Sequence, residues 1–310
     1  MTSGNGHVAL LNFERSPERV VSLVPSMTDS MFELGLGDHL VGVTDYCLPP
    51  EGSEAGLARV GGTRAPDVEA IVSLKPDLVL ANQEETSRPS VEKLERAGLK
   101  VWTTFPRSAA EAIRVLWAML RVFRAQEAAA KVATLELTLD WAQRASEGTP
   151  PVSYFCPIWR GDAKSFGTWW MTFNDLTYSG NLLRICGGRN VFADRPRRYP
   201  LAADLGHAEP EPAGEHDTRY PRLTTQEVID AQPELILLPD EPYEFDASHM
   251  EQVREAFAGT PAVERGRIHL VDGRLVTWHG TRMAQALSDL PALFQDTPQP
   301  DAGSGRPAAA

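Results

Sequence analysis

The chain has 310 residues, a formal net charge of −12 at pH 7 and a hydrophobic fraction of 42%. This length allows one large domain or two of ordinary size, each with an apolar core. The acidic balance disfavours binding to nucleic-acid phosphates, which requires clustered Lys and Arg. No apolar window of about eighteen residues occurs, so the sequence predicts no membrane-spanning helix.

The start of the chain, Met1 to Arg15, is polar and has no basic segment followed by a long apolar one, so it is not a secretory signal as written. We therefore expect a cytoplasmic protein, or a periplasmic or cell-surface one if a leader is missing. The Pro-, Gly- and Ala-rich tail, residues 296–310, is predicted to be disordered. Three isolated cysteines without Cys-x-x-Cys spacing favour free, buried thiols: Cys47, Cys156 and Cys186.

In its first third, the chain alternates short apolar runs with helical segments. Strands are predicted at Arg19–Val24, Leu40–Val43, Asp77–Ala81 and Lys100–Thr104, and helices at Ser26–Leu34, Asp67–Leu74 and Ser90–Ala97. This order is typical of a small parallel sheet with helical crossovers. We assign it to an N-terminal lobe, residues 1–107.

A single long helix is predicted from Ser108 to Ser146. Ser108 and Glu111 have the capping-box spacing, and the stretch contains neither Gly nor Pro. At 1.5 Å per residue it would be roughly 55 Å long, more than one small domain needs. We interpret residues 108–148 as a helix connecting two lobes; a surface helix of one large domain is the alternative.

Beyond Pro151 the alternation restarts, which defines a C-terminal lobe, residues 149–295. An internal similarity supports two related lobes, because Val68–Leu80 and Gln226–Leu238 both contain a helix, a proline, an acidic residue and an apolar strand. The predicted fold class is therefore α/β, with two Rossmann-like lobes, parallel sheets and one long connecting helix. Further strands are predicted at Val152–Pro157 and Ile268–Val271, and helices at Tyr178–Ile185, His249–Phe257 and Thr281–Phe294.

No motif for catalysis, phosphate binding or zinc binding is present. His207 and His216 lie in an acidic, Pro-containing loop, Asp194 to Arg222, that could hold a metal but is interpreted as a solvated insertion. We therefore assign no catalytic residue, no metal ligand and no catalytic cofactor.

Aromatic residues are concentrated after the ends of predicted strands. Ligand sites in parallel α/β lobes form at these ends, and flat rings suit a large, flat ligand. Packing of the rings onto their own lobe is the alternative. The residues concerned are Trp159, Phe166, Trp169, Trp170 and Phe173 between Pro157 and Thr177, together with Tyr46 and Trp278.

Four segments match a known family in their order along the chain. They are Arg19-Val-Val-Ser-Leu-Val-Pro-Ser-Met-Thr-Asp, Val41-Gly-Val-Thr, Val68-Glu-Ala-Ile-Val-Ser-Leu-Lys-Pro-Asp-Leu-Val and Cys186-Gly-Gly-Arg-Asn-Val-Phe. They resemble the helical-backbone (class III) periplasmic binding proteins of ABC importers, and are most similar to the cobalamin-binding branch. The resemblance covers roughly Arg19 to Phe294. Members of this family carry vitamin B12, iron-siderophores or haem.

The resemblance implies a ligand held between two lobes with little hinge motion. It also implies docking to a permease through one acidic residue on each lobe. Glu69 is the matching residue of the first lobe, whereas Gln226, with Glu227 beside it, occupies the position in the second. Together with the aromatic pattern, the resemblance predicts these ligand-binding residues: Tyr46, Arg64, Trp159, Trp169, Trp170, Phe173, Trp278 and Arg282. Arg64, Arg160 and Arg282 would serve anionic or amide edges of the ligand.

These features predict a monomeric, non-enzymatic protein that binds a corrinoid, with an ABC permease as its partner. One alternative is a haem-binding protein, with Tyr46 or His279 as the iron ligand, or an iron-siderophore-binding protein. Another is a cytoplasmic corrinoid-handling protein or enzyme that reuses the fold. A third is a structural or regulatory protein that retains the fold without the ligand.

Overall fold

A five-stranded parallel sheet forms the first lobe in the computed structural model, which describes residues 15–295. Its strand order is β3-β2-β1-β4-β5. The predicted alternation of strands and helices is confirmed, with β3 as an addition. The strands are β1 (Val20–Ser22), β2 (Leu40–Val43), β3 (Ala58–Arg59), β4 (Leu78–Asn82) and β5 (Val101–Thr104); the helices are α1 (Pro25–Glu33), α2 (Val68–Ser73) and α3 (Arg88–Arg96).

β4, an interior strand of this sheet, is buried on both of its faces. Val79 packs with Ile71 of α2 and Leu94 of α3 on one face. Leu78 and Leu80 join the larger core on the other face. Because successive side chains of a strand point to opposite faces, a strand covered by helices on both sides needs a continuous apolar run. The sequence Leu-Val-Leu-Ala provides it.

Two helices, α4 (Ala109–Phe123) and α5 (Ala129–Ser146), replace the single helix that the sequence predicts. Arg124 ends α4 in the left-handed region, with φ 56°, and a short 3-10 turn leads into α5. Trp117 Nε1 donates a hydrogen bond to Glu136 Oε2 at 3.1 Å. In one straight helix, residues this far apart in sequence would be separated by about 28 Å. The prediction of one helix from Ser108 to Ser146 is therefore wrong, since α4 and α5 fold back on each other.

A four-stranded parallel sheet forms the second lobe, in the order β12-β11-β6-β9. Its strands are β6 (Val152–Phe155), β9 (Gly188–Asn190), β11 (Leu235–Pro239) and β12 (Ile268–Val271). The helices of this lobe are α6 (Tyr178–Ile185), α7 (Leu201–Asp204), α8 (Thr225–Ala231), α9 (His249–Ala256), α10 (Pro261–Glu264), α11 (Gly273–Thr277) and α12 (Met283–Asp289), which a 3-10 turn extends to Phe294.

The chain passes from the first lobe to the second through α5. Near the start of α5, Lys131 Nζ donates a hydrogen bond to the carbonyl oxygen of Glu33, at the end of α1. The same helix also packs against α6 and α12 of the second lobe. Its 18 residues span about 27 Å. The two-lobed α/β class with a connecting helix is thus confirmed, while the exact domain boundaries at residues 107, 108–148 and 149 stay a prediction.

The aromatic segment after β6 forms a β-hairpin that the sequence pattern did not predict. β7 (Trp159–Ala163) and β8 (Gly167–Met171) pair antiparallel, and β10 (Arg222–Thr224) joins the other side of β8. The register places Trp169 opposite Gly161. The indole of Trp169 covers Gly161 so closely that a Cβ atom there would collide with it. The glycine that interrupts the strand pattern in the sequence therefore makes room for the ring.

The cysteine prediction is confirmed, because Cys47, Cys156 and Cys186 are free and buried. Within residues 15–295, none of the helices has both the length and the apolar composition that crossing a membrane requires. The predicted disordered tail and most of the segment examined for a signal peptide lie outside the described residues.

Candidate functional site

The carboxyl ends of the two parallel sheets face each other where the lobes meet. Ser26 follows β1 and Asn82 ends β4, and both contact the imidazole of His279, which follows β12 and α11. The distances to His279 Nε2 are 3.1 Å from Asn82 Nδ2 and 3.4 Å from Ser26 Oγ. Ligands of open α/β sheets bind outside the carboxyl ends of the strands. The region between these facing strand ends, here called the interlobe boundary, is therefore the candidate site.

His279 belongs to the contact between the lobes and is not free to bind a metal. Its side chain is buried, and this burial lowers the pKa of the imidazole to about 4. The ring is therefore neutral at pH 7, and its Nε2 accepts the hydrogen bond that Asn82 donates. This geometry does not support His279 as a haem-iron ligand, which was one of the two candidates predicted from the sequence.

Arg282 extends the same contact between the lobes. Its Nη2 lies 2.6 Å from Asp29 Oδ1 of α1. Beside it, the backbone N–H of Thr281 donates a hydrogen bond to Ser30 Oγ at 3.1 Å. Gly280 has φ 104°, and a Cβ atom at this position would collide with Ser30 Oγ. Arg282 therefore forms an ion pair between the lobes, and its ligand-binding role stays a prediction.

Three glutamates follow interior strands of the two sheets: Glu84 and Glu85 after β4, and Glu241 after β11. Burial, and then the charges of Glu84 and Glu241, raise the pKa of Glu85 to about 8. Glu241 follows an interior strand of the other sheet. Burial also raises the pKa of Glu241, although Thr277 Oγ1 donates a hydrogen bond to it at 3.0 Å.

The sequence interpretation missed these glutamates, yet it contained a signal for them. When the two similar segments are aligned, Glu84 and Glu241 occupy the same position, directly beyond the strand that follows Pro76 or Pro233. Polar residues at the carboxyl end of a central parallel strand are expected to face a ligand site. The similarity of the two segments therefore continues past the strands to these glutamates.

The segment between β9 and β10, residues 191–221, reaches from the second lobe to the first. Arg219 Nη1 and Tyr220 OH donate hydrogen bonds to the same oxygen of Glu84, at 2.7 and 2.6 Å. The guanidinium of Arg219 also lies 4.6 Å from the ring centroid of Phe105. The predicted solvated insertion is thus exposed only in its middle part. Its end forms a second contact between the lobes.

One buried carboxylate fastens this segment to its own lobe. Asp204 is fully buried, its Oδ1 accepts a hydrogen bond from Arg195 Nη1 at 3.0 Å, and its Oδ2 accepts one from Arg222 Nε at 3.0 Å. A buried charge requires such partners, because its desolvation otherwise costs several kcal/mol. The segment therefore has a fixed conformation from which Arg219 can reach the first lobe.

The two histidines of this segment pack against aromatic rings. His207 stacks on Phe166, with centroids 4.8 Å apart, and His216 stacks on Tyr199 at 4.7 Å. Across residues 15–295, no cluster of His, Cys, Asp and Glu side chains has the arrangement of a metal site.

Several of the predicted aromatic ligand-binding residues are core residues. Trp170 and Phe173 are each 1% exposed, and Trp170 stacks against Phe245 at a centroid distance of 6.4 Å. Their burial favours the alternative interpretation, packing onto their own lobe, and their ligand-binding role stays a prediction. Trp278 is also buried, and it precedes His279 of the interlobe boundary.

Other predicted residues keep accessible side chains. Trp159 is 41% exposed and meets Tyr243 edge-on at 5.6 Å, whereas Trp169 is partly buried. Tyr46, which follows β2, is 64% exposed. Arg64 is exposed, and its guanidinium has no hydrogen bond or ion pair to any residue between 15 and 295. The accessible predicted residues thus lie on both lobes.

The predicted docking residues occupy equivalent places at the starts of α2 and α8. Glu69 and Gln226 are each the second residue of the helix, and both are exposed. Gln226 Nε2 donates a hydrogen bond to Asp230 Oδ1 at 2.8 Å. Glu227 instead completes a capping box at the start of α8 and lies 3.2 Å from Arg195. Its carboxylate is therefore engaged within its own lobe.

Two parallel α/β lobes with facing strand ends and a single connecting helix define a two-lobed solute-binding fold. The chain matches the family model described as periplasmic binding protein over residues 20–275. It therefore belongs to the periplasmic-binding-protein family of ABC importers, and the predicted membership is confirmed.

One sequence relative is the vitamin B12-binding protein of Photorhabdus laumondii, which is 31% identical over 190 residues. This match covers 60% of the chain but only 65% of the relative, so the chain spans less than two thirds of the length of such relatives.

Two solved structures share the fold. The periplasmic vitamin B12 binding protein BtuF of Vibrio cholerae has a TM-score of 0.68 and 22% identity, covering 90% of this chain and 96% of that one. The periplasmic heme-binding protein RhuT from Roseiflexus sp. RS-1 has a TM-score of 0.69 and 24% identity, covering 91% and 99%. At these identities, the likenesses concern the fold alone.

Proposed function

We propose that this chain binds a corrinoid, a vitamin B12-like ligand, at the interlobe boundary and delivers it to an ABC importer. The family to which it belongs binds vitamin B12, haem and siderophore-type solutes. The observation that carries the proposal is the placement of exposed aromatic rings after strand ends of both lobes, Tyr46 after β2 and Trp159 after β6. Such rings offer flat apolar area to a macrocycle at a small entropic cost. The ligand of the relative that is 31% identical supports the choice of a corrinoid.

Titration of the purified chain with cyanocobalamin, followed by calorimetry, tests this proposal. Trp159→Ala should weaken binding about threefold to tenfold, because an aromatic contact is worth roughly 0.5–1.5 kcal/mol. Trp141→Ala is the matched control, since Trp141 is 69% exposed on α5 and does not lie at a strand end. Absence of cyanocobalamin binding, or equal losses in both variants, would contradict the proposal.

Haem binding is a second candidate, and Tyr46 favours it. Its hydroxyl group has no hydrogen-bond partner among residues 15–295, so it is available to an iron centre. One of the solved structures with this fold is named a heme-binding protein. Haemin titration followed by visible absorbance tests this function. Tyr46→Phe should abolish the spectrum of a tyrosinate-ligated iron, whereas His279→Gln should leave it unchanged.

Docking to a permease would use Glu69 and the equivalent position Gln226. Both side chains are exposed at the starts of matching helices, one on each lobe. Uptake of labelled cobalamin by cells that depend on this chain tests the role of Glu69. Glu69→Ala should reduce uptake while leaving cobalamin binding unchanged, and unimpaired uptake would argue against docking through this residue. Import would also require the chain outside the cytoplasmic membrane, which cell fractionation tests.

A further inference from the structure

Tyr243, which is not among the predicted ligand-binding residues, lies beside Trp159 at one edge of the second sheet. Trp159 begins β7 shortly beyond β6, and Tyr243 follows β11. Because β6 and β11 are paired and parallel, the segments that follow them leave the sheet at the same edge. His279 of the interlobe boundary follows β12, the strand on the other side of β11. The two rings therefore lie at the edge where ligands of open α/β sheets bind.

The rings of Trp159 and Tyr243 contact each other almost at a right angle, and we call them the Trp159–Tyr243 pair. Their centroids are 5.6 Å apart, and their planes meet at 75°. This is an edge-on arrangement, which the charge distribution of aromatic rings favours. Trp159 nevertheless stays 41% exposed. Part of its surface is thus available to a ligand, while Tyr243 limits the orientations of the ring.

The backbone of Trp159 is fixed independently of Tyr243. Trp159 lies opposite Met171 in the antiparallel pairing of β7 and β8. With the backbone in place, only the side-chain dihedral angles decide where the indole points. The contact with Tyr243 restricts these angles.

The ring of Tyr243 is itself held by its own lobe. Phe245, which is 2% exposed, has its ring centroid 4.6 Å away, and His249 of α9 meets Tyr243 edge-on at 5.6 Å. The hydroxyl group of Tyr243 lies 3.4 Å from His249 Nε2. Asp246 Oδ1 lies 2.8 Å from His249 Nδ1 and so fixes the imidazole. Tyr243 is therefore a firm support for the indole.

The Trp159–Tyr243 pair lies on the face of the second sheet that points away from the connecting helix. Tyr243 packs against the cluster that contains Ile236 and Leu238 of β11. The buried residues of α5 belong instead to the larger cluster, with Leu235 and Leu237 on the opposite face of the strand. Since the contacts of the pair lie within the second lobe, the pair keeps its geometry when the lobes move relative to each other.

Tyr46 of the first lobe shows what the pair adds. Tyr46 is 64% exposed, and among residues 15–295 no aromatic ring packs on it. A side chain of this kind must be ordered when a ligand binds, which costs free energy, whereas a ring that is already ordered avoids most of that cost.

We propose that Tyr243 is a positioning residue that orders Trp159 before the ligand arrives, so that the exposed part of the indole is ready to stack on a flat macrocycle. The inference rests on the proposed function, in that it assumes a ligand that contacts Trp159. It predicts that Tyr243 contributes to affinity through Trp159 and not by itself.

The first test needs no ligand. The chain is labelled with 5-fluorotryptophan, and the fluorine resonance of Trp159 is assigned by its absence in Trp159→Phe. Tyr243→Ala should shift and broaden this resonance, whereas Tyr243→Phe, which keeps the ring, should leave it close to that of the wild type. Ile229→Ala is the matched control, because Ile229 is a half-buried side chain of the same cluster on α8, before β11. An unchanged resonance in Tyr243→Ala overturns the proposal.

The second test measures the affinity for cyanocobalamin by calorimetry. Tyr243→Ala should weaken binding about threefold to tenfold, since the freed indole must then be ordered on binding. Tyr243→Phe and Ile229→Ala should each change the affinity less than about twofold. In a chain that already carries Trp159→Ala, the further change Tyr243→Ala should also have less than about a twofold effect. Equal effects of Tyr243→Ala with and without Trp159 overturn the positioning role.

The outcomes separate this inference from the proposed function. If the wild-type chain binds cyanocobalamin and Tyr243→Ala binds it as tightly, the inference is overturned and the proposed function stands. If the wild-type chain binds neither cyanocobalamin nor haemin, both are overturned, because no flat macrocycle then uses the indole. Thermal unfolding of each variant verifies that it is folded.

Discussion

The two lobes build their central strands from the same unit, a short helix, a proline and a buried strand. Lys75 precedes Pro76 and Gln232 precedes Pro233, and both residues have φ 49° in the left-handed region. These residues end α2 and α8 without a glycine, although glycine is the usual residue for such a conformation. The sequence similarity of the two segments therefore corresponds to one backbone geometry that is used twice.

The acidic residue of this unit has the same role in both lobes. Asp77 Oδ2 accepts a hydrogen bond from the backbone N–H of Arg19 at 2.9 Å, just before β1. Glu234 Oε2 accepts one from the backbone N–H of Ser153 at 3.0 Å, in β6. In each lobe the carboxylate satisfies a backbone donor beside the strand that pairs with the central strand.

Beyond the strands the lobes differ. The second lobe adds the antiparallel sheet of β7, β8 and β10 and the segment 191–221. That added segment supplies Arg219 and Tyr220, which bind Glu84 of the first lobe. The shared unit thus determines the sheets, whereas the segments after the strands provide the contacts between the lobes and the candidate site.

The largest effect on stability is expected from substitution of Asp204, which lies in the segment that only the second lobe has. Asp204→Asn should lower the free energy of unfolding by about 3–5 kcal/mol, because it leaves Arg195 and Arg222 without their buried counter-charge. Chemical denaturation measures this change. Asp162→Asn is the control, since its ion pair with Arg160 is exposed on the Asp162 side and should be worth less than about 1 kcal/mol. Equal effects would contradict a structural role for the buried network.

The next largest effect is expected from the acidic residue of the shared unit. Its substitution in each lobe shows whether the unit contributes equally to the stability of both lobes. Asp77→Asn and Glu234→Gln should each cost about 1.5–3 kcal/mol, the usual range for hydrogen bonds to a charged group. Both variants are measured by denaturation under the same conditions. Costs that differ by more than about 1 kcal/mol would show that the resemblance of the lobes is geometric and not energetic.

How far the sequence predicts the fold depends on whether the deciding interactions are local. The bounds of α6, Tyr178–Ile185, and of β12, Ile268–Val271, agree with the prediction, because capping residues and apolar periodicity lie within the segment itself. The break after α4 was missed because Arg124 adopts a positive φ with neither Gly nor Pro nearby. The pairing of Trp169 over Gly161 was missed because it is a contact between two strands.

The candidate site was less predictable than the fold. The sequence indicated that Tyr46 and Trp159 follow strand ends, and both are exposed as a ligand site requires. It could not show that Arg282 is paired with Asp29, a residue far away in the chain. An arginine available to a ligand and an arginine held by a distant carboxylate look the same in a sequence.

A smaller effect is expected from pH on the stability of the fold. Glu85 of the first lobe and His279 of the second should change this stability in opposite directions as the pH rises. Glu85 of the first lobe has its pKa raised from 4.5 to about 8, so its contribution to stability is present below pH 4.5 and is lost as the pH rises towards 8. Glu85→Gln should remove this loss and raise the melting temperature at pH 8 by a few degrees relative to the wild-type chain. Thermal unfolding between pH 5 and pH 9 measures it.

His279 of the second lobe makes stability change with pH in the opposite direction. Its pKa is lowered from 6.5 to about 4, so its contribution is present above pH 6.5 and is lost as the pH falls towards 4. His279→Gln should therefore flatten the acid side of the stability curve and leave the basic side unchanged. If Glu85→Gln altered the acid side instead, the assignment of the raised pKa to Glu85 would be wrong.

The smallest effect on stability is expected from glycine substitutions at Lys75 and Gln232, the two residues with a positive φ that follow α2 and α8. Glycine at a positive φ removes a strain of roughly 1–2 kcal/mol, while its greater freedom in the unfolded chain costs about 0.5–1 kcal/mol. Lys75 is exposed, so Lys75→Gly should stabilise the chain by up to about 1 kcal/mol. Gln232 Nε2, in contrast, donates a hydrogen bond to the carbonyl oxygen of Ile229 at 2.7 Å. Gln232→Gly loses this bond, and its net effect should be near zero or destabilising. A gain at position 232 as large as that at position 75 would mean that the side chain of Gln232 contributes nothing and that the two turns are energetically the same.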